Sequence, residues 1–102
     1  MRAVHHPPIE EVVLPEVLHA LSDPLRLDIV GRLAKEGEMP CGALNGSVSK
    51  STLSHHLKVL REAGVTTTRL AGTTRLVSLR QSELEKRFPG LMDRVLGCAK
   101  RR

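Results

Sequence analysis

Hydrogen-bonding side chains are gathered on one side of a segment in the middle of the chain. At about 100° per residue, Leu53, Leu57 and Leu60 fall on one face, so they predict a helix over residues 50–63 that Gly64 ends. Its first turn and outer arc carry short polar and basic groups: Lys50, Ser51, Thr52, Ser54, His55, Lys58 and Arg61. Such groups contact base edges and phosphates when a helix enters the major groove of DNA. The solvated face of an ordinary amphipathic helix has the same pattern, so this segment alone leaves both interpretations open.

A β-hairpin predicted directly after this helix favours the DNA-binding interpretation. Residues 65–70 and 74–80 are rich in β-branched side chains, and a short turn with Gly72 separates them. The hairpin carries basic and hydroxyl side chains at and near its tip: Arg69, Thr73, Thr74, Arg75 and Arg80. A hairpin of this kind can lie against the DNA backbone or minor groove as a wing. Arg69, Thr73 and Arg75 are therefore candidate DNA contacts.

Helix start and stop signals place the polar arc in a helix-turn-helix. Asp23 can accept amide hydrogen bonds at the start of a helix that runs over residues 24–35. A short helix over residues 40–44 follows, and then the helix with the polar arc, whose N-terminus either Ser49 or Ser51 can cap. A short helix, a tight turn and a longer capped helix are typical of a DNA-binding helix-turn-helix.

The flanking segments predict further helices. Apolar residues recur at helical spacing over residues 9–21, although Pro15 places the start of the regular helix near Leu14. A second helical region over residues 82–99 is interrupted at residues 88–90. The predicted fold is therefore mainly α with a small β-hairpin.

Composition limits the classes of function. The 102 residues suffice for one domain. Phe88 is the only aromatic residue, which argues against single-strand binders that stack bases on aromatic side chains. Residues 1–48 have a net charge of −3, with four basic and seven acidic residues, whereas residues 49–102 have +8, with twelve and four. The basic half is the candidate polyanion-binding half. No membrane-spanning or signal segment is recognised, so a cytoplasmic protein is expected.

Two segments closely resemble the ArsR/SmtB family of bacterial winged-helix repressors. They are Ala20-Leu21-Ser22-Asp23-Pro24-Leu25-Arg26-Leu27 and Ser51-Thr52-Leu53-Ser54-His55-His56-Leu57-Lys58-Val59-Leu60-Arg61-Glu62-Ala63-Gly64. The resemblance covers about residues 17–80. It implies a winged helix-turn-helix, a dimer formed by the first and last helices, and a repressor that an inducer releases from its operator.

A homodimer is also expected from the apolar residues of the flanking helices, which a small monomer can barely cover: Val12, Val13, Val17, Leu18, Leu91, Val95 and Leu96. Residues 1–102 are thus predicted to form a single winged helix-turn-helix domain. Its parts are a flexible lead-in (1–8), dimerisation helices (9–21 and 82–99), the helix-turn-helix (40–63) and the wing (65–80).

No metal site or cofactor is predicted. The cysteine pair and the histidine of the last helix that mark metal sensors of the family are not reproduced, since Cys41 stands alone and no histidine follows His56. A non-standard metal site could use His5, His6, His19 and Cys41 or Cys98, and the two cysteines could respond to oxidants. Two reduced, partly buried thiols are the simpler interpretation. For His56, packing or a phosphate contact is expected rather than catalysis.

The favoured function is a sequence-specific transcriptional regulator, expected to be a homodimeric repressor that binds a palindromic operator in double-stranded DNA and that an unidentified small effector releases. No catalytic residues are predicted, because no nucleophile, base or paired carboxylates form a recognisable set. The alternatives are a metal- or redox-responsive family member, a non-specific DNA-binding protein and a protein-interaction module.

Overall fold

The computed structural model describes residues 5–99. Five α-helices account for about half of the chain: α1 (Leu14–Ala20), α2 (Pro24–Glu36), α3 (Lys50–Glu62), α4 (Gln81–Arg87) and α5 (Leu91–Ala99). Two 3-10 turns, Ile9–Glu11 and Cys41–Leu44, precede α1 and α3. No helix within residues 5–99 has the length and apolar content needed to cross a bilayer.

Three antiparallel strands form the sheet, in the order β1 (Met39–Pro40), β3 (Thr74–Leu79), β2 (Thr66–Ala71). Strands β2 and β3 form the predicted hairpin, with Ala71 opposite Thr74 and Gly72 at φ +65° in the turn. Strand β1 was not predicted, and Met39 pairs with Val77. A segment of two residues is too short to show the alternation typical of a strand. Its extended conformation is determined by pairing with β3.

The short helix predicted over residues 40–44 is a 3-10 turn rather than a regular α-helix. Pro40 is extended, with ψ 140°, and only a single 3-10 turn over Cys41–Leu44 follows. Pro40 belongs to β1, and Gly42 is a poor helix former, so a regular α-helix does not start here. The turn still places the buried Leu44 in the core.

Helix α3 has the orientation that its periodicity predicts. Leu53, Leu57 and Leu60 are all buried, and they join a core to which α2 contributes Ile29 and Leu33. Since this face is held in the core, the opposite arc of α3 is directed outward.

Local signals at the helix ends behave as predicted. The side chain of Asp23 accepts hydrogen bonds from the amides of Leu25 and Arg26 at the start of α2. At the start of α3, Ser49 is the N-cap rather than Ser51. Gly64, which follows α3, has φ +89°, a conformation that residues with a Cβ rarely adopt.

The helical region predicted over residues 9–21 has two parts. A 3-10 turn comes first, and α1 begins at Leu14, as Pro15 indicated. Val12 and Val17 are buried within this one chain, so they are not part of an uncovered apolar face. Val13, Leu14 and Leu18 remain 43%, 40% and 46% exposed.

The lead-in predicted over residues 1–8 is described from His5 onward, and there it contacts the domain. His6 Nε2 accepts a hydrogen bond from the Thr68 amide at 2.9 Å. The Pro7 carbonyl accepts one from Arg80 at 2.8 Å. Residues 6 and 7 therefore lie against the β2 strand and the end of β3.

Candidate nucleic-acid interface

The N-terminal turn of α3 is organised by Ser49. Its Oγ accepts a hydrogen bond from the Thr52 amide at 3.2 Å and donates one to Thr52 Oγ1 at 3.0 Å. Ser51 Oγ lies 3.2 Å from Ser49 Oγ. These contacts order the hydroxyl groups at the end of the helix where the free backbone amides favour phosphate.

The outer arc of α3 is open to solvent. Six of its predicted contact residues are exposed, and the seventh, Arg61, is half-buried; the exposed ones are Lys50, Ser51, Thr52, Ser54, His55 and Lys58. The helix thus brings together short polar groups at its N-terminal end and a longer cation, Lys58, two turns further along. Such a surface can approach base edges closely while Lys58 contacts phosphate or guanine.

The tip of the wing supplies two more of the predicted residues. Thr73 lies in the turn between β2 and β3, and Arg75 follows in β3; both are exposed. Within residues 5–99, no side chain bonds the Arg75 guanidinium, so it can contact an external anion.

Arg69, also predicted as a DNA contact, forms an ion pair with Glu38 at the protein surface. Its Nη2 and Nε donate to the two carboxylate oxygens of Glu38 at 2.8 and 2.9 Å. Ser78 donates to the same carboxylate at 2.9 Å. The bonds from Arg69 and Ser78 hold the pKa of Glu38 below its usual value. This network joins all three strands, since Glu38 directly precedes β1.

Arg80 does not belong to the surface of the wing, contrary to expectation. It is 8% exposed, and its Nε donates to Glu83 at 2.9 Å while Nη1 donates to the Pro7 carbonyl. The bond from Arg80 lowers the pKa of Glu83. A buried guanidinium with both of these partners fastens α4 and the N-terminal segment to β3 rather than contacting DNA.

His56 lies on the inner side of α3, and the structure supports its expected packing role. Its Nδ1 is 3.0 Å from Arg26 Nη1 and 3.8 Å from the carboxylate of Asp23. The hydrogen bond from the Arg26 amide holds the pKa of Asp23 below its usual value. The roles of Arg26 and Glu38 are not visible in the sequence, because each contacts a residue about thirty positions away.

The residues considered for a metal or redox site are dispersed. Among the residues that the structure describes, no three histidine, cysteine or acidic side chains are grouped so as to hold an ion. Cys41 is half-buried, whereas Cys98 is exposed, so the expectation of two partly buried thiols is wrong for Cys98.

Comparison with known proteins adds independent findings. A family model described as a helix-turn-helix domain matches residues 21–69. The uncharacterized HTH-type transcriptional regulator YceK of Bacillus subtilis is 37% identical over 87 residues, which cover 82% of this chain and 87% of YceK.

Solved structures share the fold. The transcriptional repressor BigR from Xylella fastidiosa superposes with a TM-score of 0.59 and 32% identity, over 72% of this chain and 84% of BigR. The ArsR family transcriptional regulator RHA00566 superposes with a TM-score of 0.66 over 78% of this chain and 89% of that one. Its identity of 21% supports the shared fold only.

Proposed function

We propose that this chain, which belongs to the helix-turn-helix transcriptional regulators, DNA-binding proteins that are not enzymes, and shares the fold of an ArsR family regulator, is a homodimeric repressor of a palindromic operator. In this proposal α3 enters the major groove and the wing tip contacts the neighbouring backbone. In this proposal the protein acts in the cytoplasm, together with the DNA that it binds. A small effector, still to be identified, releases it from the operator.

The exposed arc of α3 is the observation that carries this proposal. Its inner leucines are buried while its polar arc is exposed, so the helix presents bonding groups that the described fold leaves largely unused. We assign the base contacts to Ser51, Ser54 and His55, and the phosphate contacts to the basic and hydroxyl residues around them: Lys50, Thr52, Lys58, Arg61, Thr73 and Arg75. Arg69 is assigned to bracing the wing through Glu38.

A homodimer is supported by an apolar surface where α1 meets α5. Val13, Leu14 and Leu18 are exposed, and Leu14 also lines an open groove of about 630 Å³ with Phe88 and Leu91. A twofold axis through this surface would bury the same residues of both copies. Binding to a palindrome requires that the two α3 helices then face successive major grooves.

Two parts of the proposal, repression and release by an effector, are supported by similarity to a known repressor. The repressor BigR is similar to this chain over most of its length, and a protein that covers a palindrome can exclude other proteins from that DNA. An effector acts by binding the DNA-free state more tightly than the DNA-bound one.

The test of DNA binding is selection of random duplexes on the purified protein, followed by titration of the enriched duplex at several salt concentrations. We expect a palindrome with half-sites about 34 Å apart and an affinity that falls steeply with salt. Lys58→Glu should abolish enrichment, whereas Lys35→Glu, an exposed lysine on α2, should not. Equal binding to enriched and scrambled duplexes would show a non-specific DNA-binding protein, and no binding to either would favour an interaction module.

Two additions test the remaining parts of the proposal. Titrations with Ni²⁺, Zn²⁺ or a thiol oxidant identify the effector class if one of them releases the operator. Sedimentation of Leu18→Glu tests the dimer: we expect this variant to have the mass of one chain, and His19→Glu, which changes the next exposed residue of α1, to keep the mass of two. A wild-type mass of one chain at micromolar concentration would refute the dimer.

A further inference from the structure

Arg26, in the first turn of α2, is buried although it carries a permanent charge. Its residue exposure is 7%, and a buried guanidinium requires partners for its donors. Nε donates to the Ala20 carbonyl at 2.7 Å, and Nη2 lies 3.4 Å from the His19 carbonyl. Both carbonyls belong to the last turn of α1, and that of His19 also accepts the Ser22 amide at 3.1 Å. Arg26 therefore binds the C-terminal end of α1, with the Ala20 carbonyl as its shorter contact.

The same guanidinium also reaches α3. Its Nη1 lies 3.0 Å from His56 Nδ1. A guanidinium only donates hydrogen bonds, so Nδ1 must accept, and the proton of the neutral His56 ring is on Nε2. Asp23 does not compete for this bond, because its carboxylate is 3.8 Å from Nδ1, beyond hydrogen-bond distance, and accepts backbone amides of α2 instead.

This bond adds a directional contact to the apolar packing of α3. The leucines of the inner face are held by apolar contact, which has no directional preference. A hydrogen bond to a ring nitrogen has a preferred distance and angle, so it opposes rotation of α3 about its axis. The affected surface is close, since the His55 ring on the outer arc lies 5.5 Å from the His56 ring, centroid to centroid.

We propose that Arg26 is a positioning residue for DNA recognition: through His56 it sets the rotation of α3 relative to the end of α1. This inference rests on the proposed DNA-binding function. The Arg26 side chain thereby joins α1, which carries the exposed Leu14 and Leu18, to α3, which carries the polar arc. A displacement of α1 at the dimer surface is transmitted to the base-contacting groups by this connection.

The test compares binding to the selected operator with binding to a scrambled duplex for a set of folded variants. Arg26→Met and His56→Ala should each lower the ratio of the two affinities about tenfold, while binding to the scrambled duplex changes little. The double variant Arg26→Met/His56→Ala should be no worse than either single one, because the two residues make one connection. His56→Gln should retain the ratio, since its amide oxygen can accept the bond from Arg26.

Arg32→Met is the matched control. Arg32 is also on α2 and donates to a backbone carbonyl, that of Ala43 at 2.9 Å, instead of to α3. The ratio should be unchanged in this variant. If Arg26→Met does not fold, His56→Ala decides, because it leaves the bonds from Arg26 to α1 in place. An unchanged ratio in folded His56→Ala, or additive losses in the double variant, would overturn the proposal.

A measurement without DNA separates this proposal from the proposed function. Nitrogen-15 spectra of the imidazole rings should show His56 protonated on Nε2 in the wild type, and Arg26→Met should allow the other tautomer. A wild-type ring protonated on Nδ1 would refute the connection even if the protein binds an operator. A wild type with the expected tautomer but without operator preference would refute the proposed function while leaving the connection in place.

Discussion

Helix α3 and the wing both carry polar and basic residues suited to DNA, but they use them differently. Along the outer arc of α3 the predicted contact residues are exposed, apart from the half-buried Arg61. Of the three arginines in the wing segment, Arg69 is paired with Glu38 and Arg80 with Glu83, and only Arg75 lacks a bonded side chain among residues 5–99. Basic composition therefore identifies the wing, whereas pairing decides which of its cations can meet a phosphate.

The difference has a geometric origin. In a helix, residues three or four positions apart lie on the same face, so local spacing determines which side chains are buried. A hairpin places its side chains against elements that are distant in sequence, and these distant residues decide whether an arginine is available. Glu38 and Arg69 are separated by 31 positions.

The connection between α3 and the wing should be the position where a substitution lowers stability most. Gly64 lies between α3 and β2 with φ +89°, and a Cβ there would be 2.3 Å from a methyl carbon of Val12. Gly64→Ala combines backbone strain with overpacking, so the free energy of unfolding should fall by about 3 kcal/mol or more. Urea denaturation measures this change.

Gly72→Ala is the matched control at the tip of the wing. Gly72 also has positive φ, +65°, but a Cβ there meets no atom within 4 Å. The loss should be about 1 kcal/mol, from strain alone. Val12→Ala combined with Gly64→Ala should destabilise less than the sum of the two single changes, because it removes the clashing methyl groups. Equal losses for the two glycine variants would refute the importance of the contact with Val12.

Substitutions of charged residues should weaken operator binding more in α3 than in the wing. Lys58→Glu should weaken operator binding about 100-fold, because it removes a contact and adds repulsion. Arg75→Met should weaken it less and reduce the salt dependence by about one counterion. Arg69→Met should leave the salt dependence unchanged, since Glu38 holds this guanidinium.

Fluorescence anisotropy titrations at several salt concentrations measure all three variants. If Arg69→Met reduced the salt dependence as much as Arg75→Met, Arg69 would leave Glu38 for a phosphate, as its position near the wing tip first suggested.

Within α3, neighbouring serines should have different roles. Ser49→Ala removes the helix cap and should lower the free energy of unfolding by about 1 kcal/mol. Ser51→Ala should alter stability by less than about 0.5 kcal/mol but weaken operator binding, because its exposed hydroxyl is assigned to DNA. Thermal unfolding and DNA titration of both variants test this separation, and a Ser51→Ala variant with wild-type affinity would remove that assignment.

The smallest expected effect concerns the segment that lies against the wing. Burial, followed by the charges of Arg61 and Arg80, lowers the pKa of His6 from 6.5. Only the neutral ring can accept the Thr68 amide at Nε2, so this contribution to stability is complete above the usual pKa and is lost as pH falls through the lowered one. The melting temperature should therefore decrease slightly more between about pH 7 and about pH 5 in the wild type than in His6→Gln. Equal pH dependence in both would show that the contact does not stabilise the fold.

Most of the fold could be predicted because it follows from local rules. The helix boundaries at Asp23 and Gly64, the buried face of α3 and the hairpin each depend on residues within a few positions of one another. Strand β1 was missed, and the short helix predicted over residues 40–44 is a 3-10 turn that begins after Pro40, because pairing with β3 determines the conformation of Met39 and Pro40.

The sequence by itself determined helix α3, its capped N-terminus and its exposed polar arc, because helical periodicity and capping are local properties. Only the tertiary structure decided that Arg69 and Arg80 bond within the protein and that Arg26 joins α1 to α3. It also divided the apolar residues of the N-terminal region into a buried and an exposed set. The physical reason is that a charged side chain is directed by the partners it can reach, and those partners come from segments that only folding brings together.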